Sequence, residues 1–362
     1  MKIFFDYKIF YQQRFGGISN YFFNLGQELI KLNQDVLFLS PLHKNNYLNK
    51  IPKKHKYAVN LKKFPFRFNP LIEKINHYFS DKLIKKKNPD ILHETYYSRK
   101  NFNTKKIVCT VYDMINEKYP NFFLNFREIT EIKKLSIMRA DHIICISNTT
   151  KADLINYFNI DEKKITVTSL ASDFDDNIKN NSDKYFLDSL LFVGSRRGYK
   201  NFEGFLKAYS ISDFLRNNYK IIAYGGEKFS NIDYEIIKKY KIKKNQIFFL
   251  NDKTYELSYL YSNVAAFIYP SFYEGFGIPL LEAMKSGCPI ISSSAASLKE
   301  VGGEGIIYFD PSNAENISSQ IEKVLCSEEL KKEIISYGFL RSRDFSWKKC
   351  ATETLQVYKK IL

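Results

Sequence analysis

The stretch AAFIYPSFYEGFGIPLLEAMKSGCPIISSS, residues 265–294, decides the fold of this 362-residue chain. Its pattern predicts a buried strand that ends near Ser271, a loop with two glycines, a helix that begins near Gly277–Pro279, and a second apolar strand. This order of elements is typical of a parallel sheet covered by helices. The same alternation continues on both sides of the stretch, so we predict an α/β protein.

Two series of apolar runs, separated by amphipathic stretches, extend the pattern along the chain. The first series predicts strands at 2–7, 36–40, 90–94, 106–113, 142–147 and 164–170. The second predicts strands at 190–195, 220–226, 246–251, 265–271, 289–294 and 306–311. We therefore predict two Rossmann-like domains, 1–172 and 186–345, joined by a polar linker at 173–185. A ligand between them would meet the carboxyl ends of the strands.

The composition excludes several classes of protein. Hydrophobic residues make up 44% and charged residues 26%, which is typical of a globular rather than a disordered chain. The five cysteines are widely spaced and form no CxxC or Cys/His cluster, which favours reduced thiols and argues against a structural zinc site. The first residues contain no signal-peptide core, and no run of about 18 apolar residues occurs, so we expect a cytoplasmic protein without a membrane span.

Positive charge is concentrated in the first half of the chain. Residues 1–172 hold 29 Lys and Arg against 15 Asp and Glu, whereas residues 173–362 hold 26 against 24. Such asymmetry indicates an anionic partner of this half, which could be a membrane surface, a phosphorylated acceptor or nucleic acid; a solvated face that maintains solubility is the alternative. The Lys- and aromatic-rich segment from Lys53 to His77 carries no recognisable nucleic-acid-binding motif. We therefore favour an anionic membrane surface over nucleic acid as the partner.

The loop and helix within 265–294 carry the most chemical information. Gly275 and Gly277 allow the backbone to approach a ligand closely, and Pro279 suits the first helical turn. The N–H groups and dipole of such a helix predict an anion site that suits a diphosphate. Glu274 and Glu282 would stand about 12 Å apart on a continuous helix, too far for the paired carboxylates of a glycosidase. We interpret them as contacts to two parts of one extended ligand; an ordinary capped β-α unit is the alternative.

The pattern S-x-x-E-G-F-G-I-P-x-L-E-A-M-x-x-G-x-P-I-I in this stretch resembles the donor-site signature of family 4 retaining glycosyltransferases of the GT-B fold. The resemblance implies that Glu274 contacts the donor sugar and Glu282 the nucleotide ribose, with the Phe276 and Gly277 amides near the phosphates. It also implies two Rossmann-like domains with the donor and acceptor in the cleft between them. Enzymes of this fold generally act without a metal, so we expect no metal and no other cofactor.

The segment LFVGSRRGYKNF predicts a strand that ends at Gly194, a basic turn, and a helix. It resembles the phosphate-binding turn of the same family, in which Lys200 is the closest match and Arg196 the next. Fixed cations there would stabilise the charge that grows on a departing diphosphate. Ser195 stands where many members carry arginine, so the choice between Arg196 and Arg197 stays open. Solvated basic residues before a helix are the alternative.

Two segments of the first domain also resemble family elements. Gly16 and Gly17, after the first predicted strand, resemble the GG loop, which closes over the donor and contributes to acceptor binding. In TVYDMINEKYP, Tyr112 occupies the position of the family's usual histidine, and Asp113 is retained. His93 ends a predicted strand and is a candidate for acceptor contact; a buried, hydrogen-bonded histidine is the alternative.

Two further features concern the linker and the end of the chain. Asp173-x-Asp175-Asp176 is similar to the metal-binding DxD of a different glycosyltransferase fold, but it falls in the predicted linker, and we interpret it as solvated. The closing helix, from Ser346 to Leu362, resembles the family's C-terminal segment, which packs back on the first domain.

Over most of its length the chain resembles bacterial mannosyltransferase-like enzymes of surface polysaccharide synthesis, such as that of O-antigen or capsule. This implies hexose transfer, with retention, from a nucleoside-diphosphate sugar to a glycan or polyprenyl-linked glycan at the inner face of the cell membrane. GDP-mannose is the first candidate donor, and UDP-hexoses come next. A sugar-nucleotide epimerase of related architecture and a basic nucleic-acid- or lipid-binding protein remain the other hypotheses.

Overall fold

A computed structural model describes residues 1–61, 69–174, 186–251 and 255–362 of the chain. The chain divides into two compact units. The first unit consists of Met1–Leu170 and Ser346–Leu362, and the second of Ala171–Phe345. Each unit is built around one parallel sheet, so the predicted α/β class with two Rossmann-like domains is confirmed.

The first unit contains a seven-stranded parallel sheet. Its strands are β1 (Lys2–Phe5), β2 (Asp35–His43), β3 (Lys56–Asn60), β4 (Ile91–Glu94), β5 (Ile107–Val111), β6 (His142–Cys145) and β7 (Ile165–Val167). Its helices before the second unit are α1 (Lys8–Gln12), α2 (Gly17–Lys31), α3 (Asn46–Lys50), α4 (Asn69–Lys87), α5 (Ile115–Lys118), α6 (Phe126–Arg139) and α7 (Asn148–Phe158). The strand order across the sheet is β3-β2-β1-β4-β5-β6-β7.

The second unit contains a six-stranded parallel sheet. Its strands are β8 (Ser189–Val193), β9 (Lys220–Tyr224), β10 (Ile247–Leu250), β11 (Ala266–Tyr269), β12 (Ile290–Ser293) and β13 (Ile307–Phe309). Its helices are α8 (Phe202–Ile211), α9 (Asp213–Asn218), α10 (Asn231–Lys239), α11 (Leu257–Asn263), α12 (Ile278–Lys285), α13 (Ser297–Gly302), α14 (Ala314–Leu325) and α15 (Glu328–Ser342). The strand order is β10-β9-β8-β11-β12-β13, and the closing helix α16 (Trp347–Ile361) belongs to the first unit, where it packs on α2.

The central strands explain why the apolar runs in the sequence are continuous. β4, β5, β6, β8, β11 and β12 are buried over their whole length. Successive side chains of a strand point to opposite faces, so complete burial means that both faces of these strands are covered. Each of the twelve predicted strands is present, with ends that differ by a few residues.

β3 is the strand that the apolar pattern does not predict. It lies at the edge of the first sheet, pairs with β2, and alternates half-buried with exposed positions. The basic segment from Lys53 to His77 therefore holds this edge strand and the first half of α4, while residues 62–68 lie outside the described part of the chain. Most of the predicted linker, 175–185, also lies outside it.

The strand order reverses direction at one place in each sheet, between β1 and β4 and between β8 and β11. Loops that follow neighbouring strands on the two sides of such a reversal diverge, which leaves a crevice at the carboxyl edge where ligands bind. The fold therefore marks one candidate ligand position in each unit.

Candidate active site

The predicted basic turn follows β8, on one side of the reversal in the second sheet. Gly194 follows the last residue of this strand and has φ +127°, a conformation that favours glycine. A Cβ atom at this position would lie 3.7 Å from Cε of Lys200, so the lysine side chain runs back along the strand end. Lys200 closes a short 3-10 turn, Gly198–Lys200, directly before Asn201 and α8.

Hydrogen bonds join this turn to the loop that follows β11, on the other side of the reversal. The Phe272 amide donates to the Tyr199 carbonyl at 2.7 Å. Asn201, which has φ +54°, donates from Nδ2 to the Pro270 carbonyl of that loop at 3.1 Å and also to the Pro311 carbonyl, which follows β13, at 2.8 Å. These bonds fix the two loops against each other, and with them the side chains that each loop carries.

Lys200 and Glu274, one from each loop, form an ion pair. Nζ of the lysine lies 2.7 Å from Oε1 of the glutamate, and the side chains are 15% and 11% exposed. The ammonium also lies 5.3 Å from the ring centres of both Tyr199 and Tyr269. The aromatic rings hold the cation in place, and its three N–H donors allow it to keep Glu274 and still bind an oxygen of a ligand.

The glycine loop after Glu274 is held by α13. Ser297 donates from Oγ to the carbonyls of Glu274 at 2.9 Å and of Phe276 at 3.1 Å. The Phe276 ring is buried and packs edge-to-face on Phe345 at 5.7 Å, so this residue presents its main chain and not its ring. The main chain of 274–276 is therefore fixed immediately before α12 begins.

Gly277 is the N-cap of α12 and has φ +101°. A Cβ atom there would lie 2.8 Å from Cδ2 of Leu298, so both the backbone conformation and the packing require glycine. Because glycine has no side chain, it cannot cap the first turn of α12, where the N–H groups have no intrahelical acceptor. An anion is the natural acceptor at such a position. Gly275 lies between the fixed residues of the loop.

Glu282 lies in α12, with the Tyr261 hydroxyl 3.5 Å from Oε2. Burial, together with the nearby charge of Asp173, raises the pKa of this carboxyl to about 7. A carboxyl that titrates near neutral pH can accept a hydrogen bond from a hydroxyl or, when protonated, donate one. Asp175 and Asp176 of the DxD-like motif lie outside the described residues.

The side chains of Arg196 and Arg197 point in different directions. The buried guanidinium of Arg196 donates to three main-chain carbonyls in the turn 225–228 and stacks between Phe229 at 5.0 Å and Phe249 at 5.4 Å. Burial lowers the pKa of Arg196. The position of Arg196 differs from the expectation that it is the next phosphate ligand after Lys200. Its N–H groups donate to main-chain carbonyls of the chain itself and not towards a ligand. The exposed arginine is Arg197, which donates to Ser230 Oγ at 2.7 Å.

In the first unit, the predicted GG loop leads into α2. Gly16 has φ 166°, which is extended backbone, and Gly17 is the first helical residue. A Cβ atom on Gly17 would meet nothing within 4 Å, and one on Gly16 would meet the flexible side chain of Gln13. The backbone is therefore open at Gly17, whereas the Gln13 side chain lies against Gly16.

His93 is fully buried inside the first unit. Its Nδ1 lies 2.5 Å from the Tyr358 hydroxyl of α16, and its Nε2 lies 2.7 Å from Oγ1 of Thr110. Burial lowers the pKa of His93 to about 3, so the ring is neutral at physiological pH. Contact with an acceptor, the first of the two interpretations, does not agree with this position, because both ring nitrogens are occupied and the ring is out of reach of solvent.

Tyr112 and Asp113 follow β5. The Tyr112 side chain is largely buried and donates its hydroxyl to the Thr95 carbonyl at 2.8 Å, and burial raises its pKa. Asp113 is half-buried and accepts from the amide of Ile115 at 3.1 Å. Tyr112 thus joins two strand ends of the sheet, and Asp113 caps the turn into α5.

Two family models match adjoining parts of the chain. The one described as Glycosyltransferase Family 4 matches residues 15–175, and the one described as Glycosyl transferases group 1 matches residues 173–341. The chain belongs to the glycosyltransferases that these two models describe. The Lys200–Glu274 pair lies in the part matched by the group 1 model, and Gly16 and Gly17 lie in the part matched by the family 4 model.

Curated relatives of this glycosyltransferase include O-antigen enzymes. O-antigen chain mannosyltransferase B of Escherichia coli is 30% identical over 236 residues, which are 62% of this chain and 62% of that protein. O-antigen chain mannosyltransferase RfbU of Salmonella typhimurium is 30% identical over 239 residues, which are 62% of this chain and 66% of that protein. Each match therefore spans less than two thirds of the relative's own length.

A solved structure agrees with the fold of this glycosyltransferase over almost the whole chain. Sucrose-phosphate synthase of Thermosynechococcus elongatus superposes with a TM-score of 0.76 at 17% identity, covering 99% of this chain and 98% of that one. At this identity the likeness shows the fold alone, and that fold is GT-B, as the sequence pattern predicts.

Sequence reasoning about the glycosyltransferase missed the residues that support the pair. Asn201 adopts a left-handed conformation that asparagine tolerates better than most residues, so its position before a helix was a usable signal. Tyr269 is the last residue of β11 and lies within the predicted strand 265–271, but its place beside Lys200 depends on the pairing of β8 with β11. Ser297 lies 23 residues after Glu274, and no spacing in the sequence connects them.

The described part of this glycosyltransferase contains neither a metal-binding cluster nor a helix that could span a membrane. Within residues 1–61, 69–174, 186–251 and 255–362, no group of three or more His, Cys, Asp or Glu side chains is arranged to hold a metal ion. Among the helices of the described part of the chain, none combines the length and apolar character needed to cross a bilayer.

Proposed function

We propose that this glycosyltransferase transfers a hexose, with retention of anomeric configuration, from a nucleoside-diphosphate sugar to a glycan or polyprenyl-linked glycan. GDP-mannose is the first candidate donor because two relatives are named O-antigen chain mannosyltransferases, and UDP-hexoses come next. The observation that carries the proposal is the Lys200–Glu274 ion pair, with its 2.7 Å separation, in the same loop system as the glycine N-cap of α12. This arrangement offers a cation, a carboxylate and helix N–H groups to one extended ligand.

Each group has a role in breaking the glycosidic bond of the donor. The bond between the anomeric carbon and the phosphate oxygen breaks, and its electron pair goes to the phosphate. Lys200 and the first N–H groups of α12 stabilise the negative charge that grows there. Glu274 accepts hydrogen bonds from hydroxyls of the donor sugar, and Glu282 accepts them from the nucleotide ribose.

The acceptor hydroxyl attacks the same face of the anomeric carbon that the phosphate leaves. Its proton passes to the leaving phosphate, so the step forms one carbon–oxygen bond, breaks another, and releases the nucleoside diphosphate. This route uses no side-chain base. It accords with the positions of His93 and Tyr112, whose polar atoms are bonded within the first unit. The proposed reaction uses no metal.

We also propose peripheral contact of the first unit with the anionic inner face of the cell membrane. The edge strand β3 exposes 43% of Tyr57 and 59% of Val59, and these residues line a surface groove with Lys53, Lys56 and Phe79. Apolar side chains among lysines suit an anionic lipid surface. Co-sedimentation with phosphatidylglycerol vesicles, but not phosphatidylcholine vesicles, is expected and should weaken in high salt. Equal binding to both vesicles would contradict it.

The donor is tested by thermal unfolding in the presence of GDP-, UDP-, dTDP- and ADP-sugars. A ligand that binds the folded state raises the melting temperature, and at about 100 times its Kd it adds about 2.7 kcal/mol. Nucleotide release is then measured with and without a mannose-terminated oligosaccharide. Acceptor-dependent release supports the transferase, isomerisation of the sugar without an acceptor supports the epimerase, and neither reaction supports a binding protein.

A further inference from the structure

A groove on the surface of the second unit is lined by α10, by β10 and by the segment between them. β10 is an edge strand of the sheet, and the groove has a volume of about 910 Å³. Pockets that bind small molecules usually enclose about 300–1,000 Å³, whereas stable interfaces between proteins are broad and bury more than about 1,200 Å². The size of this α10–β10 groove therefore suits a small molecule better than a folded protein.

The α10–β10 groove has an apolar floor, formed by its most buried residues. These are Ile237, Ile242 and Ile247, which also belong to the core of the second unit. Two rings that line the groove are far more exposed, Tyr234 at 54% and Phe248 at 41%. An apolar chain that lies here would remove the surface of these rings from water, which is favourable in proportion to the area covered.

Two further rings of the α10–β10 groove are fixed from within the unit by Arg196. The guanidinium stacks 5.0 Å from the ring centre of Phe229 and 5.4 Å from that of Phe249. The first turn of α10 is fixed as well, because Ser230 and Asp233 form a reciprocal capping box there. Walls that are already ordered lose little conformational entropy when a ligand binds.

Lysines provide the charge of the α10–β10 groove. Lys238, Lys241 and Lys244 line it, are exposed, and form no salt bridge with another described residue. Lys239, which does not line the groove, pairs with Glu203 at 2.8 Å. Among the described residues that line the groove there is no acidic side chain. Three cations beside an apolar floor suit a ligand that combines an apolar chain with an anionic phosphate.

We propose that the α10–β10 groove binds one molecule of an anionic phospholipid, with an acyl chain on the apolar floor and the phosphate at the three lysines. This site holds a single lipid molecule in the second unit, so it is distinct from the proposed contact of β3 with a bilayer surface. Lys200 and Glu274 do not line the groove, and the site does not depend on the proposed transfer reaction. It explains together two exposed rings, a fixed apolar groove and three lysines without acidic partners.

Calorimetric titration of the full chain with lysophosphatidylglycerol, kept below its critical micelle concentration, tests the lipid site directly. One molecule should bind per chain, and more weakly as the salt concentration rises. The monoacylglycerol with the same acyl chain lacks the phosphate and should bind about tenfold more weakly. Glycerol phosphate lacks the chain and should not bind measurably. Equal binding of glycerol phosphate and the lysolipid would indicate a site for free phosphate and would overturn the lipid site.

The three lysines are tested together. Lys238→Gln, Lys241→Gln and Lys244→Gln in one variant should weaken binding of lysophosphatidylglycerol about tenfold and leave binding of the monoacylglycerol unchanged. A matched control makes the same change of net charge elsewhere in the second unit and should bind both probes as the parent protein does. It replaces three other exposed lysines by glutamine, namely Lys207, Lys323 and Lys332. Equal weakening in both triple variants would assign the effect to net charge and overturn the site.

The apolar part of the site is tested at an exposed ring. Phe248→Ala should weaken binding of both acyl probes about tenfold. Tyr337→Ala removes a ring that is also 41% exposed, in α15, and should change neither. Failure of the parent protein to bind the lysolipid, or equal binding by the parent and Phe248→Ala, overturns the site. Dimerisation of the parent that Phe248→Ala abolishes would assign the groove to a second copy of the chain and overturn it as well.

The proposed function fails on a different result: no nucleotide sugar raises the melting temperature, and no acceptor stimulates nucleotide release.

Discussion

The reversal points of the two sheets have the same strand order but different polar groups. In the first unit, Asp6 follows β1 and is 1% exposed. Its carboxylate accepts from the Thr95 amide at 2.9 Å, from the Thr95 hydroxyl, and from the Lys8 amide at 3.2 Å. In the second unit, the Lys200–Glu274 pair occupies the equivalent place, and both of its side chains keep part of their surface accessible.

The difference shows that strand order provides a position but not a function. At the first reversal, the loops use their polar groups to bind each other, and burial raises the pKa of Asp6. At the second, the loops bind each other mainly through main-chain carbonyls, which leaves Lys200 and Glu274 able to bind a ligand. We therefore expect the first reversal point to be structural and the second to be reactive.

The largest effect is expected from the pair itself. Glu274→Ala should nearly abolish hexose transfer, and Lys200→Ala should lower kcat by about 10²–10³-fold, because each removes a charge that acts in the transition state. The two side chains are only 15% and 11% exposed, so removal of one leaves the other charge without its partner, and the melting temperature of each variant is measured beside its turnover. Steady-state kinetics beside the exposed control Glu304→Gln measures this. Near-normal turnover in both variants would show that the reactive site does not lie at the second reversal point.

The second prediction concerns the stability of the first unit. Asp6→Ala leaves the amides of Thr95 and Lys8 without their buried acceptor, which should lower the free energy of unfolding by about 2–4 kcal/mol. Trp347 is the single tryptophan of the chain and lies in this unit, so its fluorescence reports the transition. Asp6→Asn keeps one acceptor oxygen and should lower the free energy of unfolding less than Asp6→Ala does. An unchanged midpoint in Asp6→Ala would contradict a structural role for this carboxylate.

The third prediction separates the two arginines after β8. Arg196→Ala should destabilise the second unit, because the carbonyls of the turn 225–228 lose their buried donor, by about 1–3 kcal/mol. Arg197→Ala removes an exposed cation and should weaken donor binding by about tenfold or less with an unchanged melting temperature. Calorimetry with the preferred nucleotide sugar and thermal unfolding of both variants provide the comparison. The reverse pattern would make Arg196 the phosphate ligand.

The smallest effect is a pH dependence at Glu282. Its folded-state pKa of about 7 lies above the ordinary value of 4.5. Between these two pH values the folded state holds a proton that the unfolded state has lost, so the free energy of unfolding falls as pH rises and then levels off above pH 7. Glu282→Gln should remove this part of the slope, as urea unfolding at pH 5, 6, 7 and 8 would show. Equal slopes in the variant and the parent protein would rule out a buried, titrating carboxyl.

The sequence predicts the sheets well, and it draws attention to the loop that carries Glu274, because both signals are local. Apolar runs, glycines and the Glu274-to-Glu282 spacing all lie within about one β-α unit, where period and turn chemistry are informative. β3 was missed because an edge strand with exposed positions lacks the apolar run of a central strand. Its composition matches that of a loop.

The rest of the site depends on contacts between distant residues. Asp6 and Thr95 are 89 positions apart, and His93 and Tyr358 are 265 apart. No pattern in one sequence connects such partners. The directions of Arg196 and Arg197 also escape local reasoning, because neighbouring side chains diverge and the turn that binds Arg196 follows a different strand.

The hydrogen bond from the Phe272 amide to the Tyr199 carbonyl joins main chain to main chain. Its strength does not depend on which side chains occupy these two positions. A substitution at 272 can therefore change the side chain beside this bond while the loops that carry Lys200 and Glu274 keep their spacing, whereas a substitution at 199 would also remove a ring that holds the Lys200 ammonium. A library varied at position 272 alone is therefore expected to leave the Lys200–Glu274 pair unchanged.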